Sequence, residues 1–349
     1  MKLLNLINKV IFSHRNRVLD QSLGVILVVS NTGFGDTILS TPAIKSLRRS
    51  FPNQKIIFLI NKKFSSLFRR YKFVNDVWVY TGGYVNLFFI ILKCRSNNIH
   101  TIFLFHSNSP EDIFISLLSG ANNILRWTDN LNHEYKSLFI NEPAKEIKHN
   151  IEKKIDLVRY FNPSIIETEM SISDYYNQNE TVDFLPTDRK TIGIQLGAQD
   201  LYKIWPVENL INLSQALIKQ GYYLVFFGST ALEAKMMLKI KSNIESLSFL
   251  DLCCKTKVEE LPKILKSLSL LVTNDTGILH LSIAIKVKTL SLFSPTSYLE
   301  FGAYQDKELH ASIQKNGSFV NNKPKKQRTQ EGMKLISVNE VLVKIEEMI

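Results

Sequence analysis

The chain has 349 residues, 45% hydrophobic and 21% charged, which excludes wholesale disorder and leaves room for two ordinary cores. Its 43 basic against 32 acidic residues give a pI near 9.3, which points to an anionic partner (nucleotide, nucleic acid or acidic membrane surface), with a solvated lysine-rich surface as the plain alternative. Three cysteines, Cys94 and the adjacent Cys253 and Cys254, exclude a disulfide framework and a CxxC zinc site, and no apolar run reaches the roughly 18–20 residues needed to span a bilayer; a reducing, cytoplasmic setting fits.

Residues 1–23 stand as an extension. Leu3, Leu4, Leu6, Ile7, Val10 and Ile11 interleave with Lys2, Lys9, Arg15 and Arg17, and Asn5, Asn8 and Lys9 break the apolar core that a signal peptide needs. Such a segment suits an anionic membrane surface or packing on its own domain. A domain over 24–170 opens with Gly24–Val29, a buried parallel-strand run. The loop Ser30–Gly35 leads to a helical pattern over Asp36–Ser50, with Pro42 favouring a start near Thr41. Ile56–Ile60, Val77–Tyr80 and Ile102–Phe105 are further predicted strands, while Leu87–Leu92 is a short apolar run that soon meets Lys93 and Arg95.

Residues 171–190, rich in Ser, Asp, Asn, Thr and Pro, read as a linker. A second domain over 191–349 repeats the plan. Its predicted strands are Ile192–Leu196, Tyr222–Phe227, Phe249–Leu252, Leu270–Val272 and Thr289–Phe293. Its predicted helices are Pro206–Lys219, Ala231–Ile240, Val258–Ser267, Ile278–Ile285 and Val338–Met348, the last free to pack back on the first domain. Residues 314–332 are polar and basic and read as a long surface loop. Strand alternating with helix predicts an α/β architecture of two doubly wound, Rossmann-like domains facing across a cleft, with ligands at the carboxyl ends of the strands.

The turns after the strands carry the chemistry. Asn274-Asp275-Thr276-Gly277 precedes a helix whose first backbone N–H groups lack partners, and that place attracts phosphate. His280 lies one turn beyond Thr276 on the same face, which favours a phosphate contact over a core histidine; Asp275 caps the helix or orders the turn. In Asn31-Thr32-Gly33-Phe34-Gly35-Asp36 the Gly-x-Gly lacks the third glycine of a dinucleotide fingerprint, since Leu39 stands there. Asp36 either caps the following helix or takes a proton from an acceptor hydroxyl. Lys203, in the loop after Gly197, is a surface lysine on spacing alone and a diphosphate contact in the company it keeps. Glu233 is either a ribose-binding acid or a first-turn helix acid. The carboxylates that a bound metal would want are not evident.

Together, Gly33 through Ala43, Leu47 through Pro52, Gly197-Ala198 with Lys203-Ile204-Trp205-Pro206, Lys255-Thr256, Glu260-Leu261, Asn274 through Leu281 and Phe293 through Thr296 resemble the glycosyltransferase family 9 pattern of the lipopolysaccharide heptosyltransferases. The resemblance spans roughly residues 24–300, with weaker similarity over His149–Tyr160. It implies the GT-B fold, an N-terminal acceptor domain and a C-terminal donor domain. It further implies inverting transfer of a sugar, usually heptose from ADP-heptose, to the lipopolysaccharide inner core. Asp36 then matches the general base in an acceptor-side loop with Thr32, Gly33 and Gly35. Lys203 matches the phosphate-contacting lysine. Gly197, Asn274, Asp275, Thr276, Gly277 and His280 line the donor site, and Glu233 matches the ribose-binding acid. Gln199 departs from the small hydroxylated residue usual there.

These readings need no metal or other cofactor, with stimulation by Mg2+ left open. They give as partners a nucleotide sugar, a lipopolysaccharide-type saccharide and an anionic membrane surface, for which Lys62, Lys63, Arg69, Arg70 and Lys72 are candidates, and no nucleic acid. The setting they imply is cytoplasmic, peripheral on the inner face of the cytoplasmic membrane. The rivals are a different hexose donor, a sugar-nucleotide epimerase, a nucleotide-dependent oxidoreductase, and a basic nucleic-acid binder.

Overall fold

A computed structural model describes residues 19–106, 110–127, 148–177, 182–315 and 327–349. The predicted extension therefore lies largely outside the described residues, as do parts of the predicted linker and of the polar basic stretch. The described chain forms two compact units. The first comprises 19–65, 71–106, 110–127 and 151–167; the second comprises 66–70, 148–150 and the described residues from 168 onward. Two short segments of the N-terminal half thus count with the second unit.

The first unit is built on β1 (Val25–Ser30), β2 (Ile56–Asn61), β3 (Asp76–Tyr80), β4 (Ile99–His106) and β5 (Asn123–Arg126). All pair in parallel, in the order β3-β2-β1-β4-β5. Ile26 through Val29 and Ile56 through Ile60 are buried, as expected of strands covered on both faces. The helices are α1 (Phe34–Ile38), α2 (Thr41–Ser50), α3 (Tyr84–Ser96), α4 (Pro110–Leu118) and α5 (Asn150–Arg159). The helix expected over Asp36–Ser50 is two helices, broken at Leu39 and Ser40. Pro42 sits in the first turn of α2, where its missing N–H costs nothing. Neither α3 nor α4 was among the predicted elements: α3 is apolar nearly all round, so no helical stripe stands out.

The second sheet contains β6 (Thr191–Gln195), β7 (Tyr223–Phe227), β8 (Phe249–Asp251), β9 (Leu270–Asn274), β10 (Thr289–Phe293) and β11 (His310–Gln314). They run β11-β10-β9-β6-β7-β8, all parallel. Numbered within the domain, this is the 3-2-1-4-5-6 order of a dinucleotide-binding fold. Its helices are α6 (Val207–Lys219), α7 (Ala231–Lys241), α8 (Leu261–Lys266), α9 (Gly277–Ala284), α10 (Tyr298–Phe301), α11 (Glu331–Lys334) and α12 (Val338–Met348). The last helix packs in the second unit's own core: Val341 and Ile345 join Leu213 and Leu217 of α6 in one cluster. Strand β11 was not predicted; its residues are only half-buried, as an edge strand's are. No helix among the described residues is long and apolar enough to cross a membrane.

Candidate functional site

Where the strand order of an open parallel sheet reverses, the loops leave to opposite faces and a crevice opens beyond the carboxyl ends of two strands. In the first sheet those strands are β1 and β4; in the second they are β6 and β9.

In the first unit Ser30, the last residue of β1, pairs with His106, the last of β4. The loop beyond is pinned from inside. Thr37 Oγ1 donates to the carbonyls of Ser30 and Gly33, each at 2.8 Å, and Ser40 Oγ donates to the Asp36 carbonyl at 2.7 Å. Gly33 is the N-cap residue of α1, and Asp36 lies in its first turn without capping it by its side chain. A Cβ on Gly33 would stand 2.3 Å from Asp36 Oδ2, so glycine is what admits the carboxylate there. That carboxylate meets His106 instead, with Nε2 3.3 Å from Oδ2 and the two side chains 25% and 23% exposed. Lys154 of α5 is fully buried. Burial pushes its ammonium down to about 8, while the charge of Asp36 draws it up and that of Lys153 lowers it further. Thr32 Oγ1 is buried without a hydrogen-bond partner. On α4, burial pushes the Asp112 carboxyl up to about 7. The Asn31 amide draws it back, although no neighbour meets hydrogen-bond geometry with either oxygen.

In the second unit the carboxylate is Asp275, between β9 and α9. Lys203 Nζ donates to its Oδ2 at 2.7 Å and Thr296 Oγ1 donates to the same oxygen at 2.8 Å. His280 Nε2 lies 3.8 Å from Oδ1. Burial would raise the Asp275 carboxyl, but the charges of Lys203 and His280 and both hydrogen bonds outweigh it and hold it below the ordinary range. Burial likewise opposes the Lys203 ammonium, yet Asp275 holds it above its ordinary value. Asp275 therefore fixes the lysine head. One ammonium proton is spent on the carboxylate and two remain to donate. Thr276 takes the N-cap position of α9, its hydroxyl 3.3 Å from that of Thr273, and Gly277 opens the helix. The first backbone N–H groups of α9 have no helical acceptor, so this end favours an anion.

Beside this lies a second cluster. Asn274 Nδ2 donates to the Gly197 carbonyl at 3.3 Å, and its Oδ1 is buried without a partner. Glu233 is the third residue of α7 and forms a reciprocal capping box with Thr230. Its Oε2 accepts from the backbone N–H groups of Ser229 and Thr230, each at 2.8 Å, and its Oε1 accepts from Gln195 Nε2 at 2.8 Å. The first-turn reading of Glu233 is thus realised; a ribose hydroxyl would have to share the remaining lone pair of Oε1. A Cβ on Gly197 would approach Glu233 Cγ to 2.6 Å, so glycine is required there as well.

The structure thus brings Gly197, Lys203, Glu233, Asn274, Asp275, Thr276, Gly277 and His280 into one connected set. Asp36, with Thr32, Gly33 and Gly35, belongs to the other unit. Four participants were not singled out from sequence: His106, Lys154, Gln195 and Thr296. His106 and Gln195 end apolar strands beside a strand-order reversal, which is the available signal. Thr296 closes a quoted motif, and Lys154 has no signal, being one lysine of many. Among the described residues no three His, Cys, Asp or Glu side chains gather as metal ligands would.

The sequence model of glycosyltransferase family 9 (heptosyltransferase) matches residues 115–331, a span that includes the whole connected set of the second unit and leaves the 31–36 loop outside. Lipooligosaccharide heptosyltransferase 2 of Campylobacter jejuni subsp. jejuni (serotype O:6) is 22% identical over 289 residues, covering 79% of this chain and 83% of that protein. Lipopolysaccharide heptosyltransferase 3 of Escherichia coli K12 is 20% identical over 278 residues, covering 76% and 81%. Among solved structures, the ADP-heptose lipopolysaccharide heptosyltransferase II of E. coli superposes with a TM-score of 0.75 at 19% identity, over 93% of this chain and 98% of that one. The family 9 glycosyl transferase of Veillonella parvula DSM 2008 gives 0.75 at 19%, over 95% and 99%. The fold is GT-B, and the chain belongs to glycosyltransferase family 9, the heptosyltransferase family.

Proposed function

We propose that the chain transfers heptose from ADP-heptose, with inversion, to a hydroxyl of a lipopolysaccharide inner-core saccharide. The observation that carries this reading is the Lys203–Asp275 ion pair, which fixes an ammonium donor beside the N-terminus of α9 at the strand-order reversal of the second sheet. Relatives named as lipopolysaccharide heptosyltransferases, and a solved relative described with ADP, support the donor and the acceptor.

The reaction is a single displacement. Asp36 takes the proton of the acceptor hydroxyl, and the oxygen attacks the anomeric carbon. The bond from that carbon to the diphosphate oxygen breaks, and the nucleoside diphosphate leaves with the electron pair. The two remaining Lys203 protons and the amides at Thr276 and Gly277 take up the charge that develops on it. His106 holds the Asp36 carboxylate in one orientation, leaving Oδ1 for the acceptor. Lys203 provides the cationic charge, so turnover is expected to persist in a chelator, with Mg2+ at most a stimulant. A lipid-linked acceptor puts the work at the inner face of the cytoplasmic membrane.

The test is a melting-temperature panel of nucleotide sugars followed by transfer to a deacylated inner-core acceptor. ADP-heptose is expected to raise the melting temperature by mass action, and the product to carry the inverted anomeric configuration. A shift only with a UDP- or GDP-hexose would replace the donor. A change in the sugar without any acceptor would replace transfer by epimerisation.

A further inference from the structure

Helix α3 is apolar on two sides. Leu87, Ile90 and Cys94 are buried and pack with Leu27, Leu59, Trp78 and Ile102 in the core of the first unit. Tyr84, Val85, Phe88, Phe89 and Leu92 point the other way and are between 45% and 88% exposed. Their spacing of i, i+1, i+4, i+5 and i+8 gathers them on one stripe. A helix at a water-facing surface ordinarily turns polar residues outward, and one that is apolar all round is covered by something.

The charges beside the stripe say what covers it. The thirteen residues of α3 include no acid, and its last turn carries Lys93 and Arg95. Both are held in place: Lys93 Nζ lies 4.3 Å above the Trp78 ring, and Arg95 Nε donates to the Leu118 carbonyl at 2.8 Å. The nearby carboxylate of Asp76 is engaged by Trp78 Nε1 at 2.7 Å. We propose that this stripe docks the chain on an anionic lipid bilayer, its aromatic and aliphatic side chains entering the acyl boundary while Lys93 and Arg95 meet headgroup phosphates. The helix is about 20 Å long, too short to cross a hydrocarbon core of about 30 Å, so it lies along the interface. The proposal rests on the transfer reading only in that a lipid-linked acceptor is met at a membrane.

The test is co-sedimentation of the full chain with vesicles of phosphatidylcholine, alone or mixed with phosphatidylglycerol. The wild-type chain is expected to pellet with the anionic vesicles. Phe88→Ser/Phe89→Ser should lower the partition coefficient by about tenfold or more, and Lys93→Gln/Arg95→Gln should abolish the preference for phosphatidylglycerol. Unchanged partition of the serine variant overturns the proposal. So does light scattering that shows a concentration-dependent wild-type dimer which that variant loses. Both variants should transfer sugar to a soluble, deacylated acceptor at the wild-type rate. If no protein, wild type included, transfers sugar while vesicle binding persists, the transfer reading fails and the docking surface stands.

Discussion

In each unit one lysine feels both burial and the charge of a carboxylate of the candidate site, and these two, Lys203 and Lys154, are shifted in opposite directions. Lys203 has Asp275 at 2.7 Å and is held above its ordinary value; Lys154 is pushed down to about 8 by its burial, which the charge of Asp36 only partly offsets. The carboxylates differ in the same sense. Asp275 is 5% exposed and accepts from both Lys203 and Thr296, whereas Asp36 is 23% exposed and has one oxygen beside a histidine. Two sites of the same topological kind can therefore hold opposite chemistry. Asp36 stays reachable, as a carboxylate that received a proton would have to be, while Asp275, which fixes a cation, is buried and paired.

The sharpest way to break this comparison is to neutralise both acids. Asp36→Asn should lower kcat by ~10²- to 10⁴-fold, the range for loss of a general base, and leave the melting shift caused by the nucleotide sugar unchanged. Turnover near the wild-type rate would remove Asp36 from that role. Asp275→Asn should do something different: the nucleotide-dependent shift should shrink, because the lysine head is no longer fixed.

Next in size is the ion pair itself. Lys203→Met leaves a buried carboxylate without its cation, which typically costs 3–5 kcal/mol of stability. Lys203→Met/Asp275→Asn should recover a large part of that loss, because neither charge is then stranded. Denaturant unfolding of the singles and the double measures the coupling, and additive losses would show that the pair is not a unit.

The lysine of the first unit predicts a pH effect of the opposite sign to the usual ion pair. Its folded value is about 8 against 10.5 for the free side chain, so between those values the unfolded chain binds more protons. Stability should therefore rise with pH across that window, by up to about 3 kcal/mol. Lys203, held above its ordinary value, contributes stability that is intact throughout the same window. Lys154→Met should be more stable than the wild type at neutral pH, with the two melting curves converging towards pH 10.5. Curves that stay parallel over the window would show that Lys154 is not depressed.

Much of this was legible in the sequence, for reasons that can be stated. Strand runs such as Thr289–Phe293 and the amphipathic helix Val338–Met348 emerge with the observed limits, because a buried parallel strand and a single apolar stripe each leave a pattern with a known period. The loops at the strand ends announce themselves through glycine, and Gly33 and Gly197 prove to be glycines because a carboxylate side chain occupies the space of their missing Cβ. What sequence could not supply is pairing between distant elements. Nothing in the spacing tells that Lys203 meets Asp275, that Gln195 meets Glu233, or that His106, four strands into the chain, ends beside Asp36. Glu233 was readable in two ways because the first turn of a helix and a ribose site ask for the same residue type. Helix α3 escaped because a helix without a polar face has no amphipathic signature.

The smallest expected effect separates a histidine that orients Asp36 from one that merely fills space. His106 Nε2 stands 3.3 Å from Asp36 Oδ2, so its N–H can fix that oxygen and turn Oδ1 toward the acceptor. The amide of glutamine can place an N–H close to the position of Nε2, whereas alanine can place none. His106→Ala is therefore expected to lower kcat by about tenfold, the value of one hydrogen bond to a charged group, with the KM for the nucleotide sugar unchanged. His106→Gln should restore most of that loss, and imidazole added to the alanine variant should restore part of it. If alanine and glutamine variants lose activity equally and imidazole rescues neither, the contact is packing, and Asp36 must be held by the Gly33–Ser40 turn alone. Asp36→Asn remains informative in either case, because it tests the base whichever group orients it.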